Sequence, residues 1–170
     1  MIAINLKPFL ICLVLGVFSF QLHGQKIKEF SADGQEYGVG EKMNNKKEGL
    51  WRFYSASDQL LRKGEYEDGL LEGKWIYYYP SGKLYAKIEY ERNEAISYTD
   101  YFETGAVRLK GSFNKGKKAG TWTTFYINGI RRKIETYYEG ERRGLVQEFT
   151  PNRQLVIEED YSADTTYGSW

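Results

Sequence analysis

An internal period of 23 or 24 residues constrains this chain more than any other feature. Trp51, Trp75, Tyr98, Trp122 and Val146 stand 24, 23, 24 and 24 residues apart. A second aromatic column follows three positions later, at Tyr54, Tyr78, Tyr101, Phe125 and Phe149. A third lies further on, at Tyr66, Tyr90, Phe113, Tyr137 and Tyr161. Agreement of five units at three positions marks a repeat array, in which each unit covers its neighbour.

The turn residues say what each unit is. Gly34, Asp58, Gly82, Gly105, Gly129 and Arg153 form one turn column; Asn45, Gly69, Asn93, Gly116, Gly140 and Asp164 form the other. All but Arg153 are residue types that tolerate positive φ. Pro80-Ser81-Gly82 and Ile127-Asn128-Gly129 are hairpin-turn chemistry between runs rich in aromatic and β-branched residues. Each unit therefore reads as one β-hairpin, with strands such as Trp75–Tyr79 and Lys83–Tyr90. Gly49, Gly73, Gly120 and Gly144, four residues past a turn residue, predict a bulge or a close backbone approach. The expectation is an all-β chain of tandem hairpins in an extended, twisted antiparallel sheet. Roughly ten to twelve strands would each add about 4.8 Å to its width.

The two ends do not fit the array. Lys7 followed by the apolar run Phe9 to Phe20 reads as an export signal, too short to span a bilayer, with cleavage near Gly24/Gln25. Cys12 follows Phe9-Leu10-Ile11, a poor lipoprotein pattern. Residues 25–47 keep the turn residues but lack the aromatics, as a degenerate first unit. Residues 48–161 are the five-unit array, and 162–170 form a polar tail.

Removal of residues 1–24 takes away the only His (His23), the only Cys (Cys12) and Lys7. The 24 basic residues become 23, equal to the 23 acidic ones, so the processed chain carries no net charge. Histidine- and cysteine-based nucleophilic catalysis is closed to it, as are disulfides and N/S metal sites. Neutral net charge also argues against nucleic acid as a partner. No cofactor is expected. Glu89, Glu135, Glu158, Glu159 and Asp160 are spread over different units and read as solvated carboxylates rather than an acid–base pair.

Gly73-Lys74-Trp75, Tyr78-Tyr79, Gly82-Lys83-Leu84 and Tyr90 together spell G-x-W-x-x-Y-Y-x-x-G-x-L followed by a Tyr. Gly120-Thr121-Trp122, Phe125-Tyr126 and Asn128-Gly129 repeat most of it. This pattern resembles the bacterial MORN-variant repeat, the repeat of the YwqK-family antitoxins of toxin–antitoxin systems. The resemblance spans roughly Gly49 to Tyr161; Ile96 replaces the glycine in the third unit and Val146 the tryptophan in the fifth. It implies a MORN-like array of hairpins and a non-enzymatic, protein-binding role.

Two groups of residues are candidates for binding. The columns Phe53/Tyr77/Asp100/Thr124/Glu148 and Ser55/Tyr79/Phe102/Tyr126/Thr150 vary between aromatic and polar, as an exposed face does. Phe53, Tyr77, Tyr79, Phe102 and Tyr126 are the aromatic candidates, whereas the Trp75 and Tyr78 columns, shared by nearly all units, read as core. Lys115 to Arg143 holds eight basic and three acidic residues, against one basic and five acidic in Gly144 to Trp170. Lys117, Lys118, Arg131, Arg132, Arg142 and Arg143 then fit an acidic protein, anionic lipid or phosphate. They equally fit a charged sheet edge that blocks aggregation.

The leading reading is an exported, non-enzymatic scaffold that binds a protein partner, not yet identified, in the cell envelope. A cell-wall glycan or choline-like ligand held by the exposed aromatics is the alternative. A carboxylate-only enzyme is the remote third.

Overall fold

A computed structural model describes residues 25–161; the expected export segment 1–24 and the tail 162–170 lie outside the described residues. The described residues form thirteen strands: β1 Gln25–Phe30, β2 Glu36–Met43, β3 Lys46–Ser55, β4 Leu60–Glu67, β5 Leu70–Tyr78, β6 Leu84–Glu91 and β7 Glu94–Tyr101. β8 Val107–Asn114, β9 Lys117–Phe125, β10 Arg131–Tyr138, β11 Glu141–Arg142, β12 Leu145–Phe149 and β13 Leu155–Asp160 complete it. All pair antiparallel in one open sheet whose spatial order follows the sequence, with the short β11 beside β10. The described residues contain no α-helix.

Two kinds of turn alternate along the ribbon. On one long side the strands are joined by two-residue turns whose central residues both have positive φ, such as Asp68/Gly69 (56°, 86°) and Lys115/Gly116 (49°, 72°). That geometry matches the right-handed twist of the flanking strands. On the other side the loops are longer, closed by pairs such as Tyr79 N–H to Lys83 O and Gly82 N–H to Tyr79 O. Arg153, the one residue of unsuited type in the two turn columns, still takes φ 66°, and Arg92, Lys115 and Glu139 in the tight turns take 47°, 49° and 52°. The loop geometry dictates that conformation whatever side chain stands there.

The register breaks opposite Gly49, Gly73 and Gly120, where the expected bulges form. A second bulge follows each longer loop except the first, between β1 and β2, for example at Tyr85 between the pairs Tyr77–Ala86 and Tyr78–Leu84. The bulges do not end their strands, so β5 runs back to Leu70 rather than beginning at Trp75.

Among the described residues no second layer packs on the sheet, so its core lies within one layer. Trp51, Trp75 and Trp122 are 0%, 1% and 3% exposed. Each indole lies flat on a glycine of the preceding strand: Trp51 on Gly40, Trp75 on Gly64 and Trp122 on Gly111. A Cβ at Gly111 would stand 2.1 Å from Trp122 Cδ2, which no real contact allows, so that position must be glycine while the ring is there. Each Nε1–H then donates to the carbonyl one residue further on, Glu41, Glu65 or Ser112, at 3.0–3.1 Å. Tyr66, Tyr90, Phe113 and Tyr137 meet the indoles edge-on at 5.1–6.4 Å between centroids. Lys47 and Lys118 cover Trp51 and Trp122 from outside, with Nζ 4.5 and 4.4 Å from the ring centroids.

The second aromatic column behaves differently from the sequence expectation. Tyr54, Tyr78, Tyr101, Phe125 and Phe149 sit three residues from the Trp column, and an odd spacing along a strand puts them on the opposite face. They are half-buried rather than core. The two faces are called here the tryptophan face and the lysine face, the latter for Lys63, Lys87 and Lys110 beside those rings.

Burial of the whole indole predicts that Trp122→Ala destabilises the chain by roughly 3–5 kcal/mol. In a chain of this size that lowers Tm by about 10 °C. A thermal melt unchanged within error would place the indole at the surface.

Candidate functional site

Of the aromatic candidates, Phe53 and Tyr77 are not exposed binding groups. They stand two residues from Trp51 and Trp75 and therefore share the tryptophan face. Phe53 is buried at 8% exposure, with its ring 6.0 Å from that of Trp51 and 5.9 Å from that of Trp75. Tyr77 is half-buried against the same cluster, and burial, with a 3.4 Å contact to the Tyr90 hydroxyl, pushes its own hydroxyl above the ordinary phenol range. The variation that suggested an exposed column reflects units that solve the packing differently.

Tyr79 and Tyr126 occupy equivalent positions at the longer loops and act as staples. Tyr79 Oη donates to the Tyr101 carbonyl at 2.7 Å, and Tyr126 Oη to the Phe149 carbonyl at 2.9 Å. Each ties its hairpin to the next. Phe102 stands at the same position, half-buried and without a hydroxyl to donate.

The basic candidates do not form one patch. Arg131 and Arg132 open β10 at the long-loop side, where Arg131 lines a groove of about 340 Å3 with Gly129, Ile130, Phe149 and Arg153. Both are exposed. Lys117, Lys118, Arg142 and Arg143 lie at the opposite ends of the strands, about 25 Å away at ~3.3 Å per residue. Lys118 is committed to covering Trp122 and Tyr137. Arg142 pairs with Glu135 at 3.5 Å, and Arg143 lies over Tyr138 at 5.6 Å. A charge run in sequence becomes two separate groups because the strands reverse between them.

The third unit holds an arrangement that sequence reasoning missed. Asp100 takes the place of Phe53 and Tyr77 in the column beside the core, and it is 1% exposed. Its carboxylate accepts from Tyr98 Oη at 3.0 Å and from Arg108 Nε and Nη2 at 3.1 and 2.6 Å. That fork raises Arg108 further above its already high ordinary value. Burial pushes the Tyr98 hydroxyl above the phenol range, reinforced by Tyr85 and by the charge of Asp100.

The cause lies in neighbouring substitutions. Ile88 stands where the other units have Gly64 or Gly111, so no indole can lie flat there, and Tyr98 replaces tryptophan. The signal was present as a linked departure at Ile88, Ile96, Tyr98 and Asp100 within one unit.

Of the carboxylates read as solvated, Glu158, Glu159 and Asp160 are exposed, whereas Glu89 and Glu135 are half-buried. Glu135 lies on the tryptophan face opposite Trp122 because it stands in the column of Gly64 and Gly111. Glu89 accepts from Ser97, Glu135 pairs with Lys133 and Arg142, and Glu158 accepts from Gln147. Among the described residues no group of three or more His, Cys, Asp or Glu is placed to hold a metal ion.

Removing Arg108 leaves the Asp100 charge with Tyr98 alone. A broken buried pair costs roughly 3–5 kcal/mol, and the 41% exposure of the Arg108 side chain reduces this to about 2–3. Arg108→Leu should therefore lower the urea midpoint clearly, while Arg108→Leu with Asp100→Leu recovers most of the loss. Equal midpoints for the wild type and the single variant would mean that the pair contributes nothing.

Comparison with known proteins bears on the repeat alone. No curated protein matches the chain. Among solved structures, one described as the crystal structure of the GtfA/B complex bound to UDP and GlcNAc aligns with 82% of this chain at 12% identity and a TM-score of 0.28. The chain spans 25% of that protein's length, and a likeness this distant carries no argument. Residues 47–68 and 71–92 match the MORN repeat variant family, two successive units of the array described above.

Proposed function

We propose that this chain is an exported, non-enzymatic scaffold that holds a protein partner in the cell envelope. MORN-variant repeats suggest a repeat-based binding scaffold. The observation that carries the reading is the single layer itself. A one-layer sheet encloses no interior beyond its own flattened indoles, so each hairpin adds displayed surface rather than volume. Repeat arrays use such surfaces to engage extended partners. The likeness to YwqK-family antitoxin repeats fits the same role, since neutralising a toxin requires contact with another protein. The stretch from Lys7 to Phe20 supports export.

The glycan alternative loses its main support. Phe53 and Tyr77 are used by the core, and Tyr79 and Tyr126 by the staples. Arg131 and Arg132 remain exposed and free of ion pairs among the described residues, as an edge contact requires.

Two measurements test this reading. N-terminal sequencing of the product outside the cytoplasm should begin near Gln25; a cytoplasmic product beginning at Met1 contradicts export. A partner captured from envelope extract, purified and titrated, should associate more slowly with Arg131→Glu/Arg132→Glu. The difference should shrink as salt rises, because exposed charges act through a screened field. Arg142→Glu/Arg143→Glu, about 25 Å away, should leave the rate near the wild-type value if the partner docks at the long-loop edge. No association in any form would contradict the scaffold reading.

A further inference from the structure

The lysine face carries a row of cations that neither the core nor the ion pairs account for. Lys28, Arg52, Lys63, Lys87 and Lys110 lie on one cross-strand line, linked through directly opposed residues such as Arg52–Lys63, Ile76–Lys87 and Thr99–Lys110. None makes an ion pair among the described residues, and all but the half-buried Lys63 are exposed. No acidic residue interrupts the row from Lys28 to Lys110.

An aromatic ring accompanies the three cations that recur at the repeat period. Lys63 Nζ is 6.0 Å from the Tyr78 centroid, Lys87 is 5.5 Å from Tyr101, and Lys110 is 5.7 Å from Phe125. On the other side stand Glu65 and Glu89, one step along the same strands, while Ser112 takes that place beside Lys110. A groove of about 200 Å3 runs beside Lys87, lined by Lys74, Glu89, Ser97 and Thr99. The result is a lane bounded by rings on one side and by Glu65, Glu89 and the Lys74 that opposes Glu89 on the other, with cations along its floor.

We infer that this lane docks an extended acidic, proline-rich segment of a partner protein. The spacing selects the conformation. Lys63, Lys87 and Lys110 are two strands apart, about 9.6 Å at ~4.8 Å per strand. A polyproline II helix repeats every three residues at ~3.1 Å each, or about 9.3 Å, so an acid at every third position meets every lysine. An extended strand repeats its side chains at about 6.8 Å and falls out of phase within one unit. An α-helix presents the same face every seven residues, about 10.5 Å, and drifts by roughly 1 Å per unit. Polyproline II has no internal hydrogen bonds to break in following a twisted sheet, and aromatic-lined grooves are the surfaces that receive it. Glu65 repels the peptide's carboxylates toward the ring side of the lane, while Lys74 offsets Glu89.

This inference rests on the protein-binding reading and assigns it a surface distinct from Arg131 and Arg132. The test is fluorescence anisotropy of the full chain with three labelled peptides of five acidic residues each. One is a run of Glu-Pro-Pro triplets, the second spaces Glu by three prolines, and the third replaces the prolines of the first by glycine. The triplet peptide should bind about tenfold tighter than either control, because only it has both the matching spacing and a preorganised backbone. Lys63→Gln/Lys87→Gln/Lys110→Gln keeps the stems that cover the rings and should melt like the wild type while losing that preference. Equal affinity for all three peptides would overturn the inference, as would full binding by the triple variant. Tighter binding to phosphatidylserine vesicles or to a polyuronate than to the triplet peptide would also overturn it. Failure here with the Arg131/Arg132 effect intact removes this surface alone; failure of both removes the scaffold reading as well.

Discussion

An indole lying flat on a glycine is the interaction on which this structure depends. A single sheet with water on both sides has no partner layer to bury its apolar face, the usual route to a core. Here Trp51, Trp75 and Trp122 fold down onto the backbone of the preceding strand at Gly40, Gly64 and Gly111. Each large ring is sealed by an edge-on Tyr or Phe and, for Trp51 and Trp122, by a lysine stem. Burying 150–250 Å2 per indole at ~25 cal/mol/Å2 contributes about 4–6 kcal/mol per unit before the entropic cost. The contact also joins one hairpin to the next, since the ring and its glycine belong to adjacent units.

The same rule explains where the array departs from its own pattern. Ile88 in the glycine column goes with Tyr98 in the tryptophan column, and Glu135 goes with Val146. Where the third unit cannot seat an indole, a buried carboxylate held by Arg108 and Tyr98 takes over the space. The repeat therefore tolerates a polar solution provided that each lone pair is met, and no buried side-chain polar atom among the described residues lacks a partner.

The fold was legible because its signals are local and repeated. Asp68-Gly69 and Asn128-Gly129 specify tight reversals, and five units in phase fix the register of thirteen strands. The faces were harder to read. Trp75 and Tyr78 recur together and so looked like one core, yet three residues along a strand is half a period out, and Tyr78 lies across the sheet beside Lys63. Phe53 and Asp100 looked exposed because their column varies in chemistry, although both are buried. What could have placed them was the glycine eleven residues before each tryptophan. Its link to the ring is a relation between units, which column-by-column reading does not test. The split of the basic run into two groups likewise depends on strand reversal rather than on sequence distance.

The most direct test is a double-mutant cycle on one ring and its glycine, read by urea denaturation. Gly64→Ala in the wild-type background drives a methyl into the Trp75 ring, where its Cβ would stand 2.2 Å from Cδ2. Overpacking of this kind costs typically 1–3 kcal/mol. In a Trp75→Val background the ring is gone, so the same substitution should cost close to nothing and the coupling should equal most of the single-variant loss. Additive losses would show that Gly64 matters for its backbone alone and that the indole does not depend on it.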